Sequence, residues 1–262
     1  FMLIPLFTAL VLTARTGWEK RLHQFFIVGL AYRGISTYSR GGFIAGGVLA
    51  LLTVWRSRHK VRTFIGVAVL AAVVFSVMPE RYFLRMDTID ATEEERDSSA
   101  AGRLHYWQVA RLMAQAKPLT GIGFNGFRDS YSTYEFEQGW GTMRSVHSAW
   151  FGVLAEMGYP GLIMFCSILF VAFNTTRKVR KRAIASNNGA MAAYATALQS
   201  SLVVYAVGAT FLSAQYNEMF WHLIGLTIAL DRIQREAVSD TVPALVPTQQ
   251  RAVPATAAMA GS

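Results

Sequence analysis

The apolar residues of this chain fall in blocks that approach or reach membrane-spanning length, and runs of arginine and lysine separate several of them. A helix that crosses a bilayer needs about 20 mostly apolar residues, within a range of about 17–25. Blocks at 1–14, 22–38, 41–55, 63–78, 160–176, 190–212 and 216–230 meet or approach that length. Inside lipid every backbone N–H and C=O must be paired within the protein, which leaves helices and closed barrels. The alternation of apolar and polar residues that a barrel requires is missing. The sequence therefore predicts an all-α, polytopic transmembrane helical bundle. A hydrophobic fraction of 53% and a mean hydropathy of +0.30 agree with that class. The first block opens on Phe1-Met2-Leu3-Ile4 without a basic leader. It reads as the remnant of a span, in the C-terminal part of a longer membrane protein.

The net charge of +9 raises nucleic acid as a partner, and the placement of the charge argues against it. Basic runs lie at Arg15–Lys20–Arg21, at Arg56, Arg58, Lys60 and Arg62, through 177–182, and at Arg232 and Arg235. If the 177–182 run is cytoplasmic, counting spans outward puts every other basic run in the cytoplasm as well. Cytoplasmic loops carry just such an excess of Lys and Arg. The long polar stretch 80–146 then faces outward, and it mixes ten acids with eight Lys and Arg. The organisation that follows has transmembrane helices at 1–78, with a truncated N-terminus, and an outer loop at 79–146 carrying active-site residues. A short interfacial helix at 147–157 leads to further transmembrane helices at 158–231, with a break at Gly158-Tyr159-Pro160-Gly161. A disordered cytoplasmic tail at 232–262, rich in Pro, Ala, Thr and Gln, closes the chain. The single cysteine, Cys166, excludes an internal disulfide and a cysteine metal cluster, and reads as a small buried apolar residue.

Three features fall on the outer side. Arg40 lies in the turn Ser39-Arg40-Gly41-Gly42 between two spans, where it either snorkels to the interface or meets a ligand. In the second, Ser98 and Ser99 would cap a helix starting near Ala100, along which Arg103, Trp107 and Arg111 recur every four residues on one face. Guanidinium groups grip phosphate bidentately and an indole stacks on a sugar ring, so this face suits an anionic glycan. The same stretch also reads as an amphipathic helix lying on the membrane. Third, His147 stands where the loop re-enters the membrane, and imidazole takes a proton near neutral pH. Tyr106 and Trp150 are further candidates for sugar or lipid contact. Glu156, nine residues after His147, is out of phase with it on an ideal helix. The G-x-G-x-x-G at Gly121-Ile122-Gly123-Phe124-Asn125-Gly126 has no preceding strand, so it reads as a turn-rich segment and not a dinucleotide site. No H-E-x-x-H or paired-carboxylate pattern points to a metal.

Taken in order, several of these motifs resemble a known family. Thr37-Tyr38-Ser39-Arg40-Gly41-Gly42 is followed by Arg85-Met86-Asp87-Thr88-Ile89, then by Asp97-Ser98-Ser99-Ala100-Ala101-Gly102-Arg103 with Trp107. Next come Pro118-Leu119-Thr120-Gly121-Ile122-Gly123-Phe124, His147-Ser148, and Leu154-Ala155-Glu156-Met157-Gly158-Tyr159-Pro160-Gly161-Leu162. Together they resemble the O-antigen ligase/polymerase superfamily, closest to the exosortase A-associated O-glycosylation ligases, over nearly the whole chain up to about residue 230. The resemblance implies a GT-C-like membrane glycosyltransferase in a bacterial inner membrane, with its large helical loop and active site on the periplasmic face. It implies a glycan donor on undecaprenyl pyrophosphate, a lipid or protein acceptor, surrounding membrane lipids, and no cofactor, metal or nucleic acid. By motif it assigns the family's functional residues to Arg40, Arg103 and His147, leaving Trp107, Arg111, Tyr106 and Trp150 as substrate contacts. Where many relatives have Asn after the histidine, this chain has Ser148. A glycan polymerase, a transporter of lipid-linked sugars and an inactive scaffold are the competing readings.

Overall fold

The computed structural model describes residues 1–37, 40–76, 93–137 and 145–239, with the backbone alone at 40, 93–101 and 238–239. Among the described residues all regular secondary structure is helical. The helices are α1 (Ile4–Thr13), α2 (Gly17–Ile35), α3 (Arg40–Arg56), α4 (Lys60–Ser76), α5 (Glu93–Ala116), α6 (Phe127–Tyr134), α7 (Ala149–Ala185), α8 (Gly189–Ala209) and α9 (Glu218–Ser239). The motif residues Tyr38, Ser39 and Arg85 to Ile89, and the tail beyond 239, lie outside the described residues.

Helix ends differ from the sequence expectation where a local signal overrides apolarity. α2 starts at Gly17, ahead of the apolar block, and takes Lys20 and Arg21 into its first two turns. A capping box explains this: the Glu19 N–H donates to Thr16 Oγ1, and the Glu19 carboxylate accepts from the Thr16 N–H. α5 starts at Glu93 rather than near Ala100, so Ser98 and Ser99 lie inside it and do not cap it. Its first four residues, Glu93-Glu94-Glu95-Arg96, are good helix formers. α9 runs to Ser239, past the expected end of ordered chain near 231. Arg235 pairs with Asp231 at 2.7 Å and Arg232 with Glu236 at 2.8 Å, while Gln234 Nε2 donates to the Val179 carbonyl at 3.0 Å. That last bond ties the extension to α7.

α8 is the central helix, packed by α1, α3, α7 and α9, with α2 and α4 further out. Its 21 residues span about 30 Å, close to the thickness of a bilayer's hydrocarbon core. The main core joins Val153, Phe165 and Leu169 of α7 to Leu202 and Tyr205 of α8 and to Phe220 and Leu223 of α9. Tyr205 stacks on Phe220 with ring centres 4.8 Å apart. Loop helices α5 and α6 form a separate small core against the start of α7.

The two ends of the bundle differ in chemistry. At the start of α8, the Tyr194 hydroxyl meets Thr13 Oγ1 of α1 at 2.8 Å, and Arg56 of α3 reaches Ser200 at 2.7 Å. Arg182 of α7 pairs with Asp231 of α9 at 3.4 Å at the same end. The basic runs are thereby gathered at one end. The other end carries the turn between α8 and α9, the start of α3 and the start of α7.

α7 and α8 are long and apolar enough to cross a membrane, and α1 and the segment Gly41–Arg56 are shorter apolar helices. Large apolar side chains face outward along them and their neighbours, among them Phe25, Phe64, Val69, Ile163, Phe170 and Ile228. Exposed apolar surface on this scale suits contact with lipid. Cys166, expected to be buried, is exposed on this outer side of α7. In a lipid-facing helix, apolar character does not imply an interior position.

Candidate functional site

α7 begins under unusual backbone constraint. His147 has φ +50°, in the left-handed region, which costs a non-glycine residue about 1 kcal/mol or more. Its backbone N–H donates to Ser213 Oγ at 3.0 Å, a bond from the turn between α8 and α9. The ring is half-buried, with Nδ1 3.4 Å from Ser145 Oγ. Ser148 is the N-cap in extended geometry and is 1% exposed. Its hydroxyl makes no capping bond and has no partner among the described residues.

Two neighbours fix this corner. From α5, Trp107 Nε1 donates to the Val146 carbonyl at 3.1 Å, and the indole stacks on Phe151 with ring centres 5.0 Å apart and planes at 12°. Arg103, half-buried, stands one turn earlier on the same helix, about 6 Å in rise. Inside the bundle, Trp150 Nε1 donates to Thr210 Oγ1 at 3.1 Å, and the Trp150 ring meets Phe165 edge-on. The α8–α9 turn also touches the start of α3, for a Cβ on Gly41 would lie 2.5 Å from Phe211 Cβ. Arg103, Trp107, His147 and Trp150, together with the backbone of Arg40, therefore sit around one end of the bundle. Arg111 lies one turn beyond Trp107 and is exposed.

Tyr106 is elsewhere. It is 2% exposed and packs with Val109, Ala110 and Met113 in the loop core, 5.6 Å from the Tyr131 ring. The spacing of 106, 109, 110 and 113 is the apolar stripe of an amphipathic helix. That stripe is visible in the sequence and separates Tyr106 from the face bearing Arg103 and Trp107.

The glycine-rich segment after α5 is a clasp on the break in α7. Helical geometry fails at Gly158, with φ +67° and ψ −168°, and Pro160 lacks an N–H. The freed groups are paired by the loop. Ile122 N–H donates to the Ala155 carbonyl at 2.9 Å, Gly123 N–H to the Glu156 carbonyl at 3.0 Å, and Tyr159 N–H to the Pro118 carbonyl at 2.9 Å. Glu156, 3% exposed, continues the clasp with its side chain. Its Oε1 accepts the Phe127 N–H at 3.4 Å, and its Oε2 accepts the Tyr216 hydroxyl at 2.5 Å. Burial first, and then this carboxylate, hold the Tyr216 hydroxyl well above its usual range. Ser213, Glu156 and Tyr216 thus support the site although no motif assigns them that role. Their partners are 66, 29 and 60 residues away, beyond the reach of any local pattern.

His105, on the buried side of α5, is 4% exposed. The Tyr131 hydroxyl donates to Glu135 Oε1 at 3.0 Å and so accepts from His105 Nε2, 2.9 Å away. His105 Nδ1 is 3.9 Å from Glu137. Burial holds the imidazole below its ordinary range, with Glu135 and Glu137 opposing. A histidine whose pKa is lowered on folding takes up protons preferentially in the unfolded chain, so its contribution to stability fades with acidification. The loss begins near the unfolded value of about 6.5 and runs down to the lowered folded value. Denaturant midpoints read by tryptophan fluorescence should therefore fall between pH 7.5 and 5.5. In His105→Gln that fall should be smaller, and an equal fall in both proteins would exclude His105 as its source.

Among the described residues no three His, Cys, Asp or Glu side chains gather as a metal site would. What the corner offers is a positive side chain, an imidazole and aromatic surface beside an apolar bundle. A family model described as O-antigen ligase matches residues 25–166, just over half of the chain. No curated protein and no solved structure matches the chain.

Proposed function

Because this chain belongs to the O-antigen ligase family, we propose that it transfers a glycan from undecaprenyl pyrophosphate to an acceptor hydroxyl at the periplasmic face of a bacterial inner membrane. The observation that carries the reading is the Trp107–Val146 hydrogen bond, which holds the helix of Arg103 against the residue preceding His147. The basic and site-bearing ends of the bundle lie about 22 Å apart along α3, counted from Gly41 to Arg56. With the basic end in the cytoplasm, the site faces outward. We read the helices as a polytopic bundle of GT-C type, nearest the exosortase A-associated branch.

In the proposed reaction Arg103 and Arg40 bind the pyrophosphate and stabilise the charge that develops on it. Such stabilisation is strongest where water is excluded, as at a membrane boundary. His147 takes the proton of the acceptor hydroxyl. The hydroxyl oxygen forms a bond to the anomeric carbon as the bond from that carbon to the phosphate oxygen breaks. Undecaprenyl pyrophosphate leaves, and direct displacement inverts the anomeric centre. Trp107, Trp150 and Arg111 line the approach. The burial of Tyr106 supports a packing role for it. The reaction as proposed uses no metal or cofactor.

The test supplies the full-length protein with lipid-linked glycan and candidate lipid and protein acceptors, then follows the sugar. Glycan moved onto lipid or protein is the expected result. Lengthened carrier-linked glycan would identify a polymerase instead, and glycan that only crosses the membrane would identify a transporter.

A further inference from the structure

A second site lies at the basic end, far from His147. A cavity of about 490 Å³ opens between α1, α3, α7 and α8, walled by aliphatic side chains such as Leu12, Leu52 and Ile184. Leu12 and Ile184 are largely exposed on its rim. Two arginines, Arg56 and Arg180, also line it, and its lining contains no Asp or Glu. Both are half-buried.

The bonds of Arg56 show what is missing. Its Nη1 donates to the Thr196 carbonyl at 3.2 Å and to Ser200 Oγ at 2.7 Å, and its Nη2 donates to Gln199 Oε1 at 2.9 Å. All three acceptors are neutral, so the charge is held in place without being compensated. A guanidinium has five N–H donors, so two remain without a partner among the described residues. Arg180 has no carboxylate partner among the described residues. Two like charges facing one apolar-walled cavity repel each other unless an anion lies between them.

We infer that this cavity binds the phosphate head-group of an anionic membrane lipid, with the phosphate between Arg56 and Arg180 and an acyl chain along the aliphatic wall. Basic pockets between membrane helices suit such head-groups, and guanidinium matches phosphate geometry bidentately. A free phosphate would satisfy the arginines and leave the aliphatic wall bare. A neutral lipid would cover the wall and leave the charges facing each other. The site is independent of the transfer reaction and needs only that the chain sits in a membrane.

The experiment titrates phosphatidylglycerol into the full chain in uncharged detergent and counts retained lipid by native mass spectrometry. One phosphatidylglycerol should be retained at concentrations where diacylglycerol with the same chains is not, and glycerol phosphate should not displace it. Arg180→Gln should weaken retention about five-fold or more, and Arg56→Gln should do the same. Arg180 makes no structural bond among those described, so its variant keeps the test valid even if Arg56→Gln misfolds. Arg58→Gln, exposed and outside the cavity, should change nothing. Unchanged retention in Arg180→Gln would overturn the inference. Equal retention of diacylglycerol would overturn it too, as would glycerol phosphate binding as tightly as the lipid.

Discussion

His147→Ala in the full-length protein should lower glycan transfer by about 10³-fold, the loss typical of a missing general base. Arg103→Ala should lower it by about 10²–10³-fold, and Arg103→Lys should recover little, since a point charge does not reproduce a bidentate grip. Membrane insertion and tryptophan fluorescence should stay at wild-type levels in all three. Backbone geometry sets one condition on the histidine experiment. Position 147 has φ +50°, which alanine tolerates poorly and asparagine better. His147→Asn therefore keeps the local conformation while removing the imidazole, and the bond from the 147 N–H to Ser213 survives either change. Both variants should be inactive to a similar degree. Activity in the Asn variant with none in the Ala variant would mean that position 147 serves shape and not proton transfer. Wild-type-like turnover by Arg103→Ala would remove that residue from the proposal.

Gly121→Ala should be the most damaging small substitution in the loop, destabilising its docking on α7 by about 3 kcal/mol. Two effects add. Gly121 has φ +65°, and a Cβ there would lie 2.4 Å from the Glu156 backbone carbon. Backbone cannot move aside as the end of a flexible side chain can. Gly158→Ala should act in the same way, since its φ is +67° and its Cβ would lie 2.5 Å from the Pro118 carbonyl oxygen. Gly123→Ala separates the two contributions. Its φ is +102°, but nothing lies within 4 Å of the added atom, so only the conformational part remains. Limited proteolysis across residues 117–126 measures the docking directly. Cleavage should rise strongly in the Gly121 and Gly158 variants and less in the Gly123 variant. Equal resistance in all of them would show that the clasp does not hold the loop. Because the clasp joins α5 and α6 to the start of α7, its failure should also lower transfer without altering His147 or Arg103.

Much of this architecture can be read along the chain. Apolar block lengths mark the helices, because a helix in lipid must be apolar for about its whole length. Gly158 and Pro160 mark the break in α7, because the one adopts a left-handed φ and the other has no N–H to donate. The order of short motifs also carried the family resemblance that the family model then matched. Other local signals compete with apolar length and spacing. Thr16 with Glu19 starts α2 before its apolar block, and the stripe through Tyr106, Val109 and Met113 is buried in the loop core.

Near neighbours and the surrounding medium dictate which stretches are helical, where they stop and which ends are basic, and these features are legible along the chain. Packing alone settles how the groups that those breaks leave open are paired. Ala155 and Glu156 offer carbonyls to the 121–123 segment because their own helix cannot use them. Trp107 finds the Val146 carbonyl, and Ser213 finds the His147 N–H, across 39 and 66 residues. Such bonds have no periodicity to betray them, because each partner is defined only once the helices have packed.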